Sequence, residues 1–212
     1  MPIMMKMLLK FAKLTVLTRC WLLWGSGLLI TSCAQESAVE TELRQKPYFD
    51  LPALVQLQID RLDSLNPIVV VQAKIGSEIE RQTGHKDSAA WVETLQLFKQ
   101  MNINRPVLQG EYEESDSALD DLRVKTYRYK RSGDAEIPYL RVYYRDSLAN
   151  VYRIETAFQE DNVLYSTRRD MWMTFVPRQG RPLITAFKTT GRQKMMLRDS
   201  VTYVAQGELQ YP

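Results

Sequence analysis

The fold is decided by the stretch Tyr139-Leu140-Arg141-Val142-Tyr143-Tyr144-Arg145. Along it, Leu140, Val142 and Tyr144 alternate with Tyr139, Arg141, Tyr143 and Arg145. Successive side chains of a strand point to opposite faces of a sheet, so the row with Leu140 and the row with Arg141 would face opposite sides. This alternation is typical of an antiparallel sheet with one buried and one wet face. The stretch therefore predicts a strand over residues 137–145.

The same period of two continues on both sides of this strand, from Pro106 to the end of the chain. Polar turns such as Ser132-Gly133-Asp134, Glu160-Asp161-Asn162 and Thr190-Gly191 separate the alternating runs. Linkers this short favour an antiparallel meander of successive strands. Strands are predicted over residues 107–113, 122–130, 137–145, 151–158, 163–176, 183–190, 193–198 and 201–209.

Helical spacing marks two segments before Pro106. Asp50-Leu51-Pro52 opens the first helix, because Asp can cap a helix and Pro is tolerated in its first turn, and Asn66-Pro67 ends it. Asp87 or Ser88 caps the second helix, whose apolar face carries Trp91, Leu95, Phe98 and Met101. Between the helices, the β-branched run from Ile68 and the turn at Gly76 predict a hairpin.

Together these elements predict the α+β class, with two helices packed on a large, curved antiparallel β-meander. A partial barrel is the alternative arrangement of the same strands. The predicted domain covers residues 47–212. Residues 33–46 are polar and have no clear apolar period, so they are predicted to form a tether in front of it.

The N-terminus carries a targeting signal rather than part of the fold. Four basic residues precede or interrupt an apolar run that ends at Ile30-Thr31-Ser32-Cys33. The run Leu28–Cys33 resembles the lipobox of bacterial lipoproteins. The resemblance implies a signal peptide over residues 1–32 and lipid attachment at Cys33. A plain secretory signal and a membrane-anchor helix are the alternatives.

The resemblance also implies a location. Ala34 stands where enterobacterial lipoproteins retained at the inner membrane carry Asp, so we expect an outer-membrane protein, anchored through acylated Cys33 and facing the periplasm or the cell surface. Glu36 and Glu40 resemble the surface-export signal of Bacteroidota lipoproteins. The chain is similar in style to the envelope lipoproteins of that group.

Composition excludes several partners once residues 1–32 are set aside. They hold four of the 28 Lys and Arg residues and none of the 25 Asp and Glu residues, so residues 33–212 carry 24 basic and 25 acidic side chains. The basic pI therefore belongs to the precursor and gives no support for nucleic-acid binding. Cys20 would leave with the signal and Cys33 would carry lipid, so no disulfide is expected.

Catalytic motifs are not recognisable in the remaining sequence. His85 is the single histidine, no Gly-x-Ser-x-Gly elbow occurs in residues 33–212, and no glycine-rich phosphate loop is present. The carboxylates between Glu111 and Asp121 lack the spacing of an EF-hand and are predicted to form a solvated strand end and loop. We predict no catalytic residue, no metal and no cofactor. A calcium site and a carboxylate-based enzyme are the weaker alternatives.

The predicted wet face of the sheet carries the candidate partner-binding residues. Tyrosine rings alternate there with guanidinium groups, a combination that suits protein partners, glycans or anionic headgroups. The row that starts at Arg123 is expected to neighbour the row that starts at Tyr139, while Leu122 and Val124 face the core. The candidates are Arg123, Tyr127, Tyr129, Tyr139, Arg141, Tyr143 and Arg145. An ordinary solvated face is the alternative interpretation.

Two function classes follow from these patterns. The first is a non-enzymatic binding or structural module of the cell envelope, with a protein or a glycan as partner. The second is an apolar-ligand carrier, because the order of elements is similar to that of the outer-membrane lipoprotein-localisation factors. The apolar runs Met171-Trp172-Met173 and Met195-Met196-Leu197 would then line a groove instead of packing in the core.

Overall fold

A computed structural model describes residues 46–131, 133 and 135–212 of the 212-residue chain. The predicted signal peptide, Cys33 and residues 34–45 of the predicted tether lie outside the described residues. Among the helices that are described, none combines the length and the apolar character needed to cross a membrane.

The described elements follow the predicted order. They are α1 (Leu51–Leu65), β1 (Ile68–Ile75), β2 (Glu78–Gly84), α2 (Ser88–Lys99), a 3-10 turn (Pro106–Leu108), β3 (Tyr112–Leu119), β4 (Leu122–Tyr129), β5 (Tyr139–Tyr144), β6 (Val151–Asp161), β7 (Tyr165–Arg178), β8 (Arg181–Met195) and β9 (Val201–Gln210).

All nine strands form one antiparallel sheet in the order β2-β1-β9-β8-β7-β6-β5-β4-β3. Strands β2 and β3 are its two edges, so the sheet is open and is not closed into a barrel. From β3 to β9 each strand pairs with the next one in the chain, as in a meander. The predicted α+β class with a dominant antiparallel sheet is therefore confirmed.

Helix α1 begins and ends where the sequence predicts. The Asp50 carboxylate accepts a hydrogen bond of 3.2 Å from the Ala53 N–H, which satisfies a donor that the first helical turn leaves without a partner. At the other end Asn66 adopts a left-handed conformation with φ of 43°, and its N–H donates to the Leu62 carbonyl. Asp87 caps α2 in the same way, through the Ala90 N–H at 2.8 Å.

The core lies between the two helices and one face of the sheet, which we call the inner face. Registered neighbours Leu140, Thr156 and Met171 show how its rows run across β5, β6 and β7. The helices contribute fully buried side chains, including Trp91 of α2. The opposite face, called the outer face, carries the alternate residues of the same strands and has no helix packed against its centre in the described core cluster.

A buried amide attaches α1 to the sheet. Gln58 is 1% exposed; its Nε2 donates to the Pro182 carbonyl at 3.2 Å, and its Oε1 accepts from the Ile184 N–H at 2.9 Å. Arg61 also donates to the Pro182 carbonyl, at 2.7 Å. The register between β7 and β8 shifts beside this point, at Thr174/Phe175. The helix therefore satisfies backbone groups of β8 where the strand ladder is irregular.

Two predicted strand boundaries are wrong. Residues 106–108 form a 3-10 turn, and β3 begins only at Tyr112, so the strand predicted over 107–113 is displaced along the chain. Residues 183–198 were predicted as two strands with a turn at Thr190-Gly191. They belong to the single strand β8 up to Met195, because Gly191 makes room for the ring of Tyr203 instead of turning the chain.

The acidic stretch is mostly strand: β3 extends to Leu119, beyond the predicted strand end at residue 113, and a turn is formed only at Asp120 and Asp121. Glu114 and Asp116 lie on the edge strand β3, and Lys125 of β4 pairs with both carboxylates at 3.2 and 3.3 Å. The exposed side chains gave no alternation, so the sequence did not reveal the strand. Its pairing is instead supported by opposite charges across the two strands.

We predict that Gly207→Ala destabilises the domain by about 1–3 kcal/mol, because a new Cβ would overpack the core. A Cβ at Gly207 would lie 2.3 Å from Cζ of Phe187, whose ring is 4% exposed and cannot easily move away. Chemical denaturation monitored by circular dichroism measures the change. Gly84→Ala is the matched control, since a Cβ there meets nothing within 4 Å. Equal stability of the two variants would contradict the described β8–β9 register.

Candidate partner-binding face

The sheet register divides the predicted tyrosine and arginine row between the two faces. Arg141 is in register with Thr126 of β4, whereas Tyr127 is in register with Leu140. Residues in register point to the same side, so Arg141 lies on the outer face and Tyr127 on the inner face. The structure therefore brings together Tyr139, Arg141 and Tyr143, and it separates them from Arg123, Tyr127 and Tyr129.

The residues on β4 have a structural role. Tyr127 is 2% exposed, and its ring packs edge-on against Tyr48 with centroids 5.7 Å apart. Tyr129 packs in the same manner against Tyr112, at 5.5 Å. Arg123 is exposed at the inner-face end of β4, in register with Tyr144. The expectation that this row is wet was wrong for Tyr127, because the aromatic ring has a core contact available beneath the segment before α1.

Arg145 lies just beyond the last residue of β5. Its Nη2 pairs with Asp121 in the β3–β4 turn at 2.5 Å, and its guanidinium carbon lies 5.8 Å from the ring centroid of Tyr152. These contacts hold Arg145 at the end of the sheet rather than in the row of Arg141.

A single carboxylate organises the centre of the outer face. Glu155 on β6 accepts hydrogen bonds from the Tyr143 hydroxyl at 2.8 Å and from Arg153 Nε at 2.7 Å. Arg141 Nη1 lies 3.6 Å from the same carboxylate. Two guanidinium groups therefore share one negative charge. We call Tyr139, Arg141, Tyr143, Arg153, Glu155 and Trp172 the Glu155 cluster.

Aromatic rings flank the charged centre on both sides. The Arg141 guanidinium carbon lies 4.7 Å from the Tyr139 ring centroid, and that of Arg153 lies 4.8 Å from Trp172. Such stacking favours one orientation of a planar guanidinium over a π-face. The cluster thus combines aromatic surface, oriented N–H donors and partial exposure, with Arg141 at 36% and Glu155 at 23%.

Trp172 and Glu155 were not among the predicted partner-binding residues. Trp172 alternates with Met171 and Met173, which are buried on the inner face, so its position on the outer face could be read from the sequence. The place of Glu155 beside Arg141 depends on the β5–β6 register, where the two residues pair directly. That register also contains a shift at Tyr143/Tyr144, which no local pattern announces.

Burial and the carboxylate both act on the tyrosine hydroxyls. Burial raises the pKa of Tyr143, and the hydrogen bond to Glu155 raises it further, since both disfavour the phenolate. Burial likewise raises the pKa of Tyr139, with the Asp170 carboxylate as the next cause. These hydroxyls therefore remain protonated donors at neutral pH and are not activated as nucleophiles.

The described residues offer no group of three or more His, Cys, Asp and Glu side chains that could hold a metal ion. His85 lies in the loop before α2, with Nδ1 2.9 Å from the Asn66 carbonyl oxygen. The geometry of the Glu155 cluster suits recognition by stacking and hydrogen bonding.

Cavities bear on the carrier hypothesis. A cavity of about 380 Å³ lies between α1 and the β7–β8 turn, and its lining includes Asp60, Arg61 and Arg181 as well as leucines. Of the two runs that a groove would expose, Met171 and Met173 are 2% and 0% exposed in the filled core, whereas Met195, Met196 and Leu197 are exposed at the β8–β9 end of the sheet, away from this cavity. The cavity is thus lined differently from the methionine- and aromatic-rich interior that an acyl-chain carrier would require.

No family model, curated protein or solved structure matches the chain.

We predict that Glu155→Gln lowers the pKa of Tyr143 while leaving it above the usual value. The substitution removes a charge that disfavours the phenolate, and burial, the larger cause, remains. Because its folded-state pKa is raised, the protonated Tyr143 adds to the free energy of unfolding below about pH 10, and this contribution is lost as the pH rises through the folded-state pKa. The contribution, and hence the loss, is smaller in Glu155→Gln. Titration by NMR of labelled tyrosine measures the pKa. Glu160→Gln, which removes the partner of Tyr165, should leave Tyr143 unchanged; an unchanged Tyr143 in Glu155→Gln would contradict the pairing.

Proposed function

We propose that this protein is an outer-membrane-anchored lipoprotein that acts as a non-enzymatic binding module of the cell envelope. Cys33 carries the lipid, and the Glu155 cluster on the outer face of the sheet contacts the partner. The partner is an envelope protein or a glycan, with the tyrosine and tryptophan rings as stacking surfaces and the arginines as donors.

The observation that carries this proposal is the asymmetry of the sheet. The two helices cover the inner face, while the centre of the outer face presents Trp172, Tyr143 and two guanidinium groups that Glu155 holds in place. Holding long side chains in one geometry lowers the entropy that a partner must freeze on binding. A strand face that only has to stay solvated needs no ordered cluster of aromatic and charged side chains, although single exposed aromatic residues are ordinary.

An apolar-ligand carrier is the second candidate function. The cavity beside α1 has a suitable volume of about 380 Å³, but Asp60, Arg61 and Arg181 contribute to its lining. The observations therefore favour the binding module. A carboxylate-based enzyme receives less support, because the central carboxylate is already paired with two guanidinium groups.

We predict that Cys33→Ala prevents lipidation and leaves unprocessed precursor. The lipobox resemblance makes Cys33 the residue that is modified and then becomes the first mature residue, and stable anchoring needs more than one acyl chain. Electrophoretic mobility, metabolic labelling with a fatty acid and detergent phase partitioning measure the result. Cys20→Ala is the matched control and should be processed normally. If Cys33→Ala is processed and partitions like the wild type, the anchoring proposal is wrong.

We predict that Arg141→Ser combined with Tyr143→Ser weakens partner capture at least tenfold, since Tyr and Arg anchors at an interface centre contribute about 2 kcal/mol or more. The domain should remain folded at a cost of about 1–2 kcal/mol, because the hydrogen bond from Tyr143 to Glu155 is lost while Arg153 still pairs with the carboxylate. Quantitative pull-down from solubilised membranes measures capture, and thermal unfolding measures stability.

The matched control exchanges the same two residue types elsewhere, in Arg123→Ser combined with Tyr152→Ser. Both side chains are exposed, and neither contacts Glu155 in the described structure. This control should retain every partner. Loss of partners in both double variants would show a general surface effect, and full retention in Arg141→Ser/Tyr143→Ser would remove the cluster from the binding site.

A further inference from the structure

Apolar side chains are concentrated at one end of the sheet, where two turns lie side by side. The β6–β7 turn and the β8–β9 turn are joined by a hydrogen bond of 2.8 Å from the Met196 N–H to the Leu164 carbonyl. We call the five large apolar residues at this end, four in the turns and Met195 at the end of β8, the apolar tip. They are exposed to 86%, 66%, 50%, 56% and 95% at Val163, Leu164, Met195, Met196 and Leu197.

The shape of these turns presents the side chains to the surroundings. Leu197 has φ of 66°, a left-handed conformation that non-glycine residues seldom adopt, and it is the most exposed of the five. A cavity of about 310 Å³ lies between the two turns and includes all five residues in its lining. Contiguous apolar exposure of this kind marks an interaction surface rather than scattered exposed residues.

Basic side chains adjoin the tip on the outer face. Arg168 of β7 lies directly in register with Arg192 of β8, and Lys194 follows two residues after Arg192 on the same face. We call these three residues the basic shoulder. Like charges opposite each other on neighbouring strands destabilise a sheet, so the arrangement favours an anionic partner. Among the described residues no carboxylate lies within 4.0 Å of these cations; the adjoining rows of the outer face carry Asp161 and Asp170, and Arg192 Nε donates to the Ser200 hydroxyl at 2.6 Å.

The described chain begins level with the middle of β6. Tyr48 packs against Tyr127, whose row continues through Leu140 to Thr156, and five residues of β6 lead from Thr156 to Asp161. At about 3.3 Å per residue, the tip lies roughly 20 Å beyond that row. Residues 34–45 could span about 40 Å when extended, so an anchor at Cys33 and the tip can reach the same bilayer.

We propose that the apolar tip inserts into the interfacial region of an anionic phospholipid membrane while the basic shoulder contacts lipid phosphates. Apolar side chains beside Lys and Arg are the combination that binds such interfaces. The biological setting of this contact rests on the proposed anchoring through Cys33. The contact itself does not require the lipid on Cys33, and it would fix the domain with its sheet end toward the membrane.

The test uses residues 46–212 without lipid, the part of the chain that carries the described core, and circular dichroism checks that this fragment is folded before vesicles are added. Co-sedimentation with vesicles of phosphatidylcholine and phosphatidylglycerol measures binding. We expect Leu164→Ser combined with Leu197→Ser to weaken binding about tenfold or more, since two exposed leucines lose their burial in lipid. Thermal unfolding should be unchanged, as both side chains are exposed.

The matched control is Leu119→Ser combined with Val176→Ser, which removes two exposed apolar residues, 53% and 41% exposed, from the opposite end of the sheet. It should bind vesicles as the wild type does. Arg192→Gln combined with Lys194→Gln should weaken binding to vesicles with phosphatidylglycerol and leave the weaker binding to pure phosphatidylcholine unchanged.

Absence of vesicle binding by the wild-type domain, or equal binding by the tip variant, would overturn the proposal. The proposal would also be overturned if the tip variant bound vesicles normally but no longer captured a membrane protein. Failure of this proposal is separable from failure of the anchoring proposal. If Cys33 is lipidated but the domain does not bind vesicles, only the proposal of a tip contact is wrong. If the domain binds vesicles but Cys33 is not lipidated, only the anchoring proposal is wrong.

Discussion

The pair of hydrogen bonds that Gln58 makes with β8 is the interaction on which the arrangement of this domain depends. A helix can cover a sheet in many positions by apolar contact alone, since the hydrophobic effect is not directional. The Gln58 amide is 1% exposed, and it satisfies both the Pro182 carbonyl and the Ile184 N–H where the β7–β8 register shifts. Leaving the Ile184 N–H without a partner would cost about 1–3 kcal/mol, and Arg61 donates to the same Pro182 carbonyl, so α1 has one favourable position on β8. This position of α1 places both helices on the inner face, because α1 and α2 pack against each other.

Covering one face of the sheet determines what the other face can do. On the inner face Met171, Met173 and Phe175 disappear into the core, whereas Trp172 between them emerges on the outer face. There the Glu155 carboxylate compensates Arg141 and Arg153, so the guanidinium groups can lie over aromatic rings without repelling each other. The helices cover only part of the inner face, and the long strands β6, β7 and β8 extend past them. The apolar tip at the end of these strands is therefore exposed.

Most of the sheet could be predicted from the alternation of apolar and polar residues along single strands. Alternation was sufficient for the antiparallel sheet and for the opposite orientation of Arg141 and Leu140, and helical spacing with capping residues was sufficient for both helices. Alternation was only partly right on β4: Val124 is buried, at 6% exposure, but on the outer face beside Tyr143, whereas Tyr127 on the opposite row packs against Tyr48. It failed on β3, whose exposed residues have no alternation, and at Gly191, where the cause is the ring of Tyr203 on another strand. The Glu155 cluster could be only partly predicted, since its central pairing depends on the register between β5 and β6 and on the shift within it.

We propose that a partner occupies the outer face in the envelope, whereas the isolated domain leaves this face open. Oxidative footprinting tests this most directly, by comparing the modification of Tyr143 and Trp172 in native membranes with that in purified residues 46–212. Buried Tyr127 is the internal reference that should stay protected in both samples. We expect Tyr143 and Trp172 to be modified several-fold more slowly in the membranes than in the purified domain. Equal modification rates in the two samples would contradict it.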